Sequence, residues 1–106
     1  MEKLNIKPLS VNEAWQGRRF KTDKYKKYES DLMVLLPNNL KIPNGNIRLF
    51  IEFGLSNNAS DIDNCLKNFI DCLQKKYGFN DKLINELNVR KIKVAKGYEH
   101  IIFEIS

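Results

Sequence analysis

The sequence predicts an α+β fold in which helices pack on one small mixed sheet. Two stretches, residues 22–36 and 62–76, carry apolar residues at helical spacing. Residues 47–55 instead alternate apolar side chains with others, as a strand does. Such helices and strands must bury their apolar sides against one another, and a chain of 106 residues has room for one core. We therefore expect a single domain that spans residues 1–106.

The amino-terminal part predicts a strand, a loop and a helix. Leu4 and Ile6 alternate with polar residues in a short strand. Residues 9–21 show no clear period, which indicates a long basic loop. Thr22 is a suitable cap for the helix that follows, and Pro37 ends that helix.

The carboxyl-terminal part predicts a strand, a second helix and a hairpin. Residues 47–55 form the strand, and residues 62–76 form a helix that ends at Gly78, because glycine tolerates positive φ. Residues 87–94 and 98–105 read as two further strands on either side of a turn. We expect them to pair as a C-terminal hairpin, which gives the order β-α-β-α-β-β.

Composition limits the class of protein. The hydrophobic content of 42% and the charged content of 29% are typical of globular domains. No apolar run approaches the ~18 residues of a membrane span, and no signal peptide is recognisable, so we expect a cytoplasmic protein. Cys65 and Cys72 lie two helical turns apart, too far for a disulfide, so we expect two buried thiols. His100 is interpreted as a surface residue of the last strand.

The net charge of +5 is unevenly distributed. Six basic residues and one acid lie between positions 18 and 27, with Phe20 and Tyr25 among them. Basic residues mixed with aromatic ones are typical of a surface that binds nucleic-acid phosphates and bases. A solvated lysine-rich helix face would give the same pattern. This stretch alone does not distinguish the two interpretations.

Two carboxylates lie close together where the second helix begins. Ser60 could cap this helix with Asp63 in its first turn, where an acid complements the helix dipole. As metal ligands, Asp61 and Asp63 must project to the same side, which requires Asp61 to lie outside the helix. Oxygen ligands of this kind suit Mg²⁺ or Mn²⁺. Lys67 could neutralise a phosphate, or it could pair with Asp63 or Asp71.

Two longer patterns connect these residues to a known family. One is D-x-D-N-x-x-K-x-x-x-D-x-L followed by a glycine and an aspartate; the other is an amino-terminal proline, serine and asparagine followed by an aromatic residue and basic residues. The matching positions are Asp61, Asp63, Asn64, Lys67, Asp71, Leu73, Gly78 and Asp81, with Pro8, Ser10, Asn12, Trp15, Arg18 and Arg19. Together they resemble the RusA family of Holliday junction resolvases, which are small dimeric endodeoxyribonucleases of bacteria and their phages.

The resemblance implies roles for individual residues. Asp61, Asp63 and Asp81 would bind Mg²⁺, which Mn²⁺ could replace, and Lys67 would be catalytic. Asn64 and Asp71 would support the site. The residues that we expect to contact DNA are Asn12, Trp15, Arg18, Arg19, Lys21 and Lys24.

The chain departs from the family pattern in two places. The family often has paired aspartates where this chain reads Asn80-Asp81-Lys82. Some members also carry arginines just before the D-x-D motif, where this chain has Ser-Asn-Asn-Ala-Ser at 56–60. More of the DNA contact would then fall to residues 15–27.

The expected function is a Mg²⁺-dependent endonuclease that resolves four-way junctions and related branched DNA. Paired symmetric cuts would leave 5′-phosphate and 3′-hydroxyl ends. A homodimer, paired through the sheet edge at the hairpin, would supply one site for each cut. We expect no membrane association and no small-molecule cofactor. Two alternatives are a non-catalytic basic nucleic-acid-binding module, such as a degenerate resolvase, and a protein–protein adaptor.

Overall fold

Helices and strands interleave along the chain. The computed structural model describes residues 1–16, 20–57 and 61–106. In chain order its elements are β1 (Glu2–Leu4), α1 (Val11–Ala14), β2 (Trp15–Gln16), β3 (Phe20–Lys21), α2 (Asp23–Leu35), β4 (Ile47–Leu55), α3 (Leu66–Tyr77), a 3₁₀ turn (Asp81–Leu83), β5 (Ile84–Lys93) and β6 (His100–Ile105).

Four of the strands form one mixed sheet in the order β1-β6-β4-β5. The central strand β4 pairs in parallel with β5 and antiparallel with β6. The α+β class is therefore confirmed, whereas the predicted C-terminal hairpin is wrong, because β5 and β6 lie on opposite sides of β4. The connection passes the end of β4, where the Val94 N–H donates to the Leu55 carbonyl at 2.9 Å. Each of the two last strands therefore forms its backbone hydrogen bonds with β4, and they do not pair with each other.

One face of the sheet and the two long helices enclose the core. The alternate residues of β4 that the sequence places on one face are all buried. Phe69 of α3 packs edge-on against Phe53 of β4 and Phe103 of β6, with ring centroids 6.2 Å and 5.5 Å apart. Full burial of one such side chain stabilises a fold by about 1.5–3 kcal/mol. α3 is thus fixed on the centre of the sheet.

The opposite face of the sheet holds a buried ionic group. Glu52 is only 4% exposed; its Oε2 lies 2.8 Å from His100 Nε2, and Arg90 Nε donates to its Oε1 at 2.7 Å. His100 is itself 7% exposed, so the prediction of a surface residue is wrong. The imidazole fits because its cross-strand neighbour is Gly54, which has no side chain.

Predicted capping residues mark the helix ends. Thr22 Oγ1 accepts a hydrogen bond from the Tyr25 N–H at 3.2 Å, which confirms it as the cap of α2. Gly78 ends α3 with a φ of 74°, a conformation that favours glycine. The start of α3 differs from the prediction, because residues 62–65 form a turn and the helix begins at Leu66.

The segment predicted as a basic loop has structure of its own. It contains α1 and the paired strands β2 and β3, while Arg18 and Arg19 lie outside the described residues. The Val11 N–H donates to the Asn64 carbonyl at 2.8 Å. Asn68 of α3 is fully buried, and its Nδ2 donates to the Leu9 carbonyl at 2.9 Å. These two bonds hold the amino-terminal segment against the start of α3.

Both cysteines are packing residues, as predicted. Cys65 and Cys72 are buried and free. Burial raises the pKa of their thiols to about 11 and about 12, so both are protonated and unreactive at neutral pH. None of the helices in the described ranges is long and apolar enough to cross a membrane.

Candidate active site

A shallow groove of about 450 Å³ runs along the exposed side of α3. Its charged lining consists of residues that the sequence singled out, and its apolar lining comes from α3 and the start of α1. The lining residues are Val11, Asp63, Asn64, Leu66, Lys67, Ile70, Asp71 and Asp81. The fold therefore places Asp81, from the segment after α3, on the same surface as Asp63 and Lys67.

The turn before α3 carries the D-x-D motif. The Asn64 N–H donates to the Asp61 carbonyl at 3.1 Å, and the Leu66 N–H donates to the Asp63 carbonyl at 3.2 Å. Asp61 and Asp63 both lie outside the helix and are exposed. Asp61 thus meets the condition that the metal-ligand interpretation requires, since it does not belong to the helix.

Capping does not account for these two carboxylates. The N-cap position of α3 is occupied by Cys65, whose side chain makes no capping hydrogen bond. The first turn of α3 contains no acidic residue. The part of the capping interpretation that involves Ser60 falls outside the described residues. In the described turn, the backbone carbonyls of Asp61 and Asp63 accept these hydrogen bonds, and both side chains are exposed.

Lys67 forms an ion pair with Asp71 one turn along α3. Its Nζ lies 3.5 Å from Asp71 Oδ1, and the lysine side chain is 72% exposed. An exposed pair at this spacing contributes only about 0.3–0.5 kcal/mol. A phosphate that enters the groove can therefore replace Asp71 as the partner of Lys67 at little energetic cost.

Gln74 connects α3 to the segment that carries Asp81. Its Nε2 donates to Asp71 Oδ1 at 3.5 Å, and its Oε1 accepts from the Asp81 N–H at 3.0 Å. The sequence interpretation missed this residue. Its position in the helix could have indicated it, because Gln74 lies seven residues after Lys67 and three after Asp71, on the same exposed side of α3. Asn80 caps the short 3₁₀ turn through the Lys82 N–H.

The donors in the groove fit a hard cation, although they are not gathered into one ligand set. Within the described ranges, no three His, Cys, Asp or Glu side chains are close enough together to hold a metal ion. Asp63 and Asp81 line the groove, whereas Asp61 is outside its lining. All of the candidate ligands are oxygens, and Mg²⁺ is commonly held by one or two carboxylates with waters. The assignment of three aspartate ligands therefore stays a prediction.

The residues predicted to contact DNA differ in their surroundings. Asn12 and Lys24 are exposed. Lys21 pairs with Glu29 at 3.3 Å, and its Nζ lies over the Tyr25 ring at 5.1 Å. Lys24 also borders a second groove, of about 420 Å³, between α2 and the amino-terminal segment.

Trp15 has a packing role in addition to any contact with DNA. Its ring is partly buried and meets the Tyr25 ring edge-on, with centroids 5.4 Å apart. Tyr25 in turn is buried in the core at the start of α2. The aromatic surface that Trp15 and Tyr25 expose for stacking on bases is therefore smaller than the sequence suggested.

Comparison with known proteins agrees with the motif pattern. The family model described as Endodeoxyribonuclease RusA matches residues 7–105 of the 106-residue chain. This range contains the amino-terminal segment, α3 and all of the residues that line the groove. No curated protein gives a significant match to the chain.

Proposed function

Because the chain belongs to the RusA family of endodeoxyribonucleases, we propose that it resolves four-way DNA junctions and related branched DNA. The observation that carries this proposal is the groove on α3, where Asp63, Lys67 and Asp81 share one surface. Paired symmetric cuts would leave 5′-phosphate and 3′-hydroxyl ends. The activity would belong in the cytoplasm of a bacterial or phage-infected cell.

The carboxylates are proposed to hold Mg²⁺, which Mn²⁺ can replace. Asp63 and Asp81 would bind it from the groove, and Asp61 from the turn before α3. When bound, such an ion polarises the scissile phosphate and lowers the pKa of a water molecule. Without a cation, the three carboxylates would repel the DNA backbone, so metal binding and substrate binding support each other.

Lys67 is proposed to act on the phosphate itself. Its exposed ammonium can leave the weak pair with Asp71 and donate to a phosphate oxygen, where it offsets the charge that develops on the leaving 3′ oxygen. Asp71 orients Lys67 before the substrate arrives. Gln74 holds Asp71 and the Asp81 backbone on one side of α3.

DNA binding is assigned to the amino-terminal segment. Asn12, Lys24 and the basic residues at 18–21 would contact the backbone of the duplex arms, with Trp15 alongside. The segment is fixed to the site because the Val11 N–H binds the Asn64 carbonyl. No role for a small-molecule cofactor is proposed.

A homodimer is proposed because two symmetric cuts need two equivalent sites. The predicted hairpin edge does not exist, and β5 forms that edge of the described sheet instead. The outer side of β5 has no neighbour within the described sheet and is the surface where a second copy could add. In light scattering at micromolar protein concentration, the complex with junction DNA should exceed the mass of the DNA alone by the mass of two chains.

A junction cleavage assay tests the proposal. A labelled synthetic four-way junction and a linear duplex of the same sequence are incubated with the protein in Mg²⁺ or in EDTA. We expect paired cuts in the junction only, and only with Mg²⁺. Salt-sensitive binding without cleavage would instead identify a non-catalytic DNA-binding module, and an absence of binding would favour a protein–protein adaptor.

A further inference from the structure

A second group of basic side chains lies at the end of β5. Residues 90–96 contain four basic residues, Arg90, Lys91, Lys93 and Lys96, and no acid. β5 is the outer strand of the described sheet, and its residues from position 90 to position 93 are exposed. None of these four residues belongs to the amino-terminal basic segment.

In the pairing of β5 with β4, Arg90 projects to one face of the sheet, and Lys91 and Lys93 project to the other. Arg90 lies opposite Glu52, donates to its carboxylate at 2.7 Å and covers the Phe50 ring at 5.6 Å. It therefore belongs to the buried ionic group on the face of the sheet away from the helices. Its charge is already balanced by Glu52.

Lys91 and Lys93 lie on the other face, the one that α3 covers. They are opposite Phe53 and Leu55, which are core residues of β4. Parallel strands have their carboxyl ends at the same edge of a sheet, so Lys93 lies beside the end of β4. From that end the chain continues to Asp61 and the D-x-D motif.

The start of α3 lies close to these lysines. Phe69, in the first turn of α3, packs edge-on against Phe53, with ring centroids 6.2 Å apart. Phe53 is the cross-strand neighbour of Lys91, so Lys91 lies beside the part of β4 that the first turn of α3 covers. The Leu66 N–H donates to the Asp63 carbonyl at 3.2 Å, which ties the turn with the D-x-D motif to the same end of α3.

The amino-terminal basic segment reaches the same end of the molecule. The Thr22 N–H donates to the Ala14 carbonyl at 2.9 Å, which ties the start of α2 to α1. The hydrogen bond from Val11 to Asn64 ties α1 to the turn before α3. Two parts of the chain that carry basic residues, the start of α2 and the end of β5, are therefore connected to the region where α3 begins.

We infer that Lys91 and Lys93 bind a backbone phosphate of the DNA, as a second phosphate-binding surface separate from residues 18–27. The inference rests on the proposed function and extends it. The carboxylates of the groove repel the DNA backbone, and two ammonium groups beside them offset this repulsion. The two lysines also fix the direction in which the strand crosses the start of α3.

Junction binding in EDTA tests the lysine pair without any cleavage. The affinity of Lys91→Gln, Lys93→Gln and the double variant is measured over a series of salt concentrations. The slope of log K against log salt should fall by about 0.9 for each phosphate contact that is lost. We expect a decrease of at least this size in the double variant, with weaker binding at moderate salt and an unchanged thermal melt.

Two further variants separate a specific contact from a loss of charge. Lys3→Gln removes the same charge from β1, at the other edge of the sheet and on the face away from α3. It should keep the wild-type slope. The double Lys91→Arg/Lys93→Arg variant retains both charges and should also keep the wild-type slope.

The outcomes distinguish this inference from the proposed function. If wild-type protein cuts the junction but the glutamine variants keep its salt slope, the lysine pair does not bind phosphate and the inference is overturned alone. A slope that falls equally in Lys3→Gln would also overturn it. If wild-type protein shows no salt-dependent binding, the proposed function is overturned together with the inference.

Discussion

Alanine at position 54 tests the buried ionic group on the open face of the sheet. Gly54 and His100 are cross-strand neighbours in β4 and β6. A Cβ at position 54 would lie 2.4 Å from His100 Cε1 and 2.5 Å from Nδ1, whereas ordinary contact begins at 3.4 Å. The imidazole would therefore have to move by about 1 Å.

The imidazole has little freedom to make this movement. Its Nε2 lies 2.8 Å from Glu52 Oε2, and its Nδ1 lies 3.1 Å from the Tyr98 carbonyl. Overpacking costs about 1–3 kcal/mol, and loss of a hydrogen bond to a carboxylate costs about 1.5–3 kcal/mol more. Alanine also restricts the unfolded chain, which offsets about 0.4–1 kcal/mol. We expect Gly54→Ala to lower the free energy of unfolding by about 2–5 kcal/mol.

Urea unfolding followed by circular dichroism measures this cost in two backgrounds. His100→Ala removes the ring that the new Cβ would meet. In that background Gly54→Ala should cost less than about 1 kcal/mol, because the two changes are coupled. An equal cost in both backgrounds would show that the strain lies in the backbone of β4 and not at the imidazole.

Three further predictions concern the ionic group and the groove. The hydrogen bond from His100 holds the pKa of Glu52 below its usual 4.5, so the contribution of the ionised Glu52 to stability is present above pH 4.5 and is lost as the pH falls further. The free energies of unfolding of wild type and Glu52→Gln, measured in urea, should therefore converge at acid pH. Gln74→Met should slow junction cleavage by about tenfold, because Asp81 loses its hydrogen bond to α3, while the thermal melt stays unchanged. The protein with the neighbouring change Lys75→Met should cleave the junction at the normal rate. Lys67→Ala should cut about 10²–10³-fold more slowly and still bind the junction, as gel shift in EDTA would show.

Much of the fold could be predicted because its signals are local. The alternation in β4 and the helical spacing in α2 and α3 each depend on residues close together in sequence. Thr22 caps its helix through a hydrogen bond from a residue three positions later, and Gly78 ends its helix through its own positive φ. Local patterns of this kind predict the existence of an element, and these elements are confirmed.

Strand pairing and buried polar contacts could not be predicted in the same way. The alternation within β5 and β6 shows that both are strands, but it does not identify their partner, which is β4 in each case. The burial of His100 depends on Glu52 and on the missing side chain of Gly54, both far away in sequence. Such contacts arise only when β4 and β6 meet.

Part of the candidate site could be predicted from the sequence. Asp63, Lys67 and Asp71 follow one another at helical spacing, and the structure places them in one groove. Asp81 joins them because the chain turns back after α3, which the motif indicated but spacing alone did not. Gln74 was missed because its role depends on a contact with the backbone of Asp81.

Junction cleavage by aspartate variants shows whether Asp61 and Asp63 hold the catalytic metal ion. Asp61→Asn and Asp63→Asn are compared with wild type for cleavage in Mg²⁺ and for binding in EDTA, with Asp23→Asn at the start of α2 as the matched control. Asparagine keeps the shape of the side chain and removes the charge that holds a hard cation, so stability should change by less than about 1 kcal/mol. We expect both variants to bind the junction at least as tightly as wild type and to leave it uncut, while Asp23→Asn cuts normally. Cleavage at the wild-type rate by both Asp61→Asn and Asp63→Asn would show that these carboxylates do not hold a catalytic metal ion.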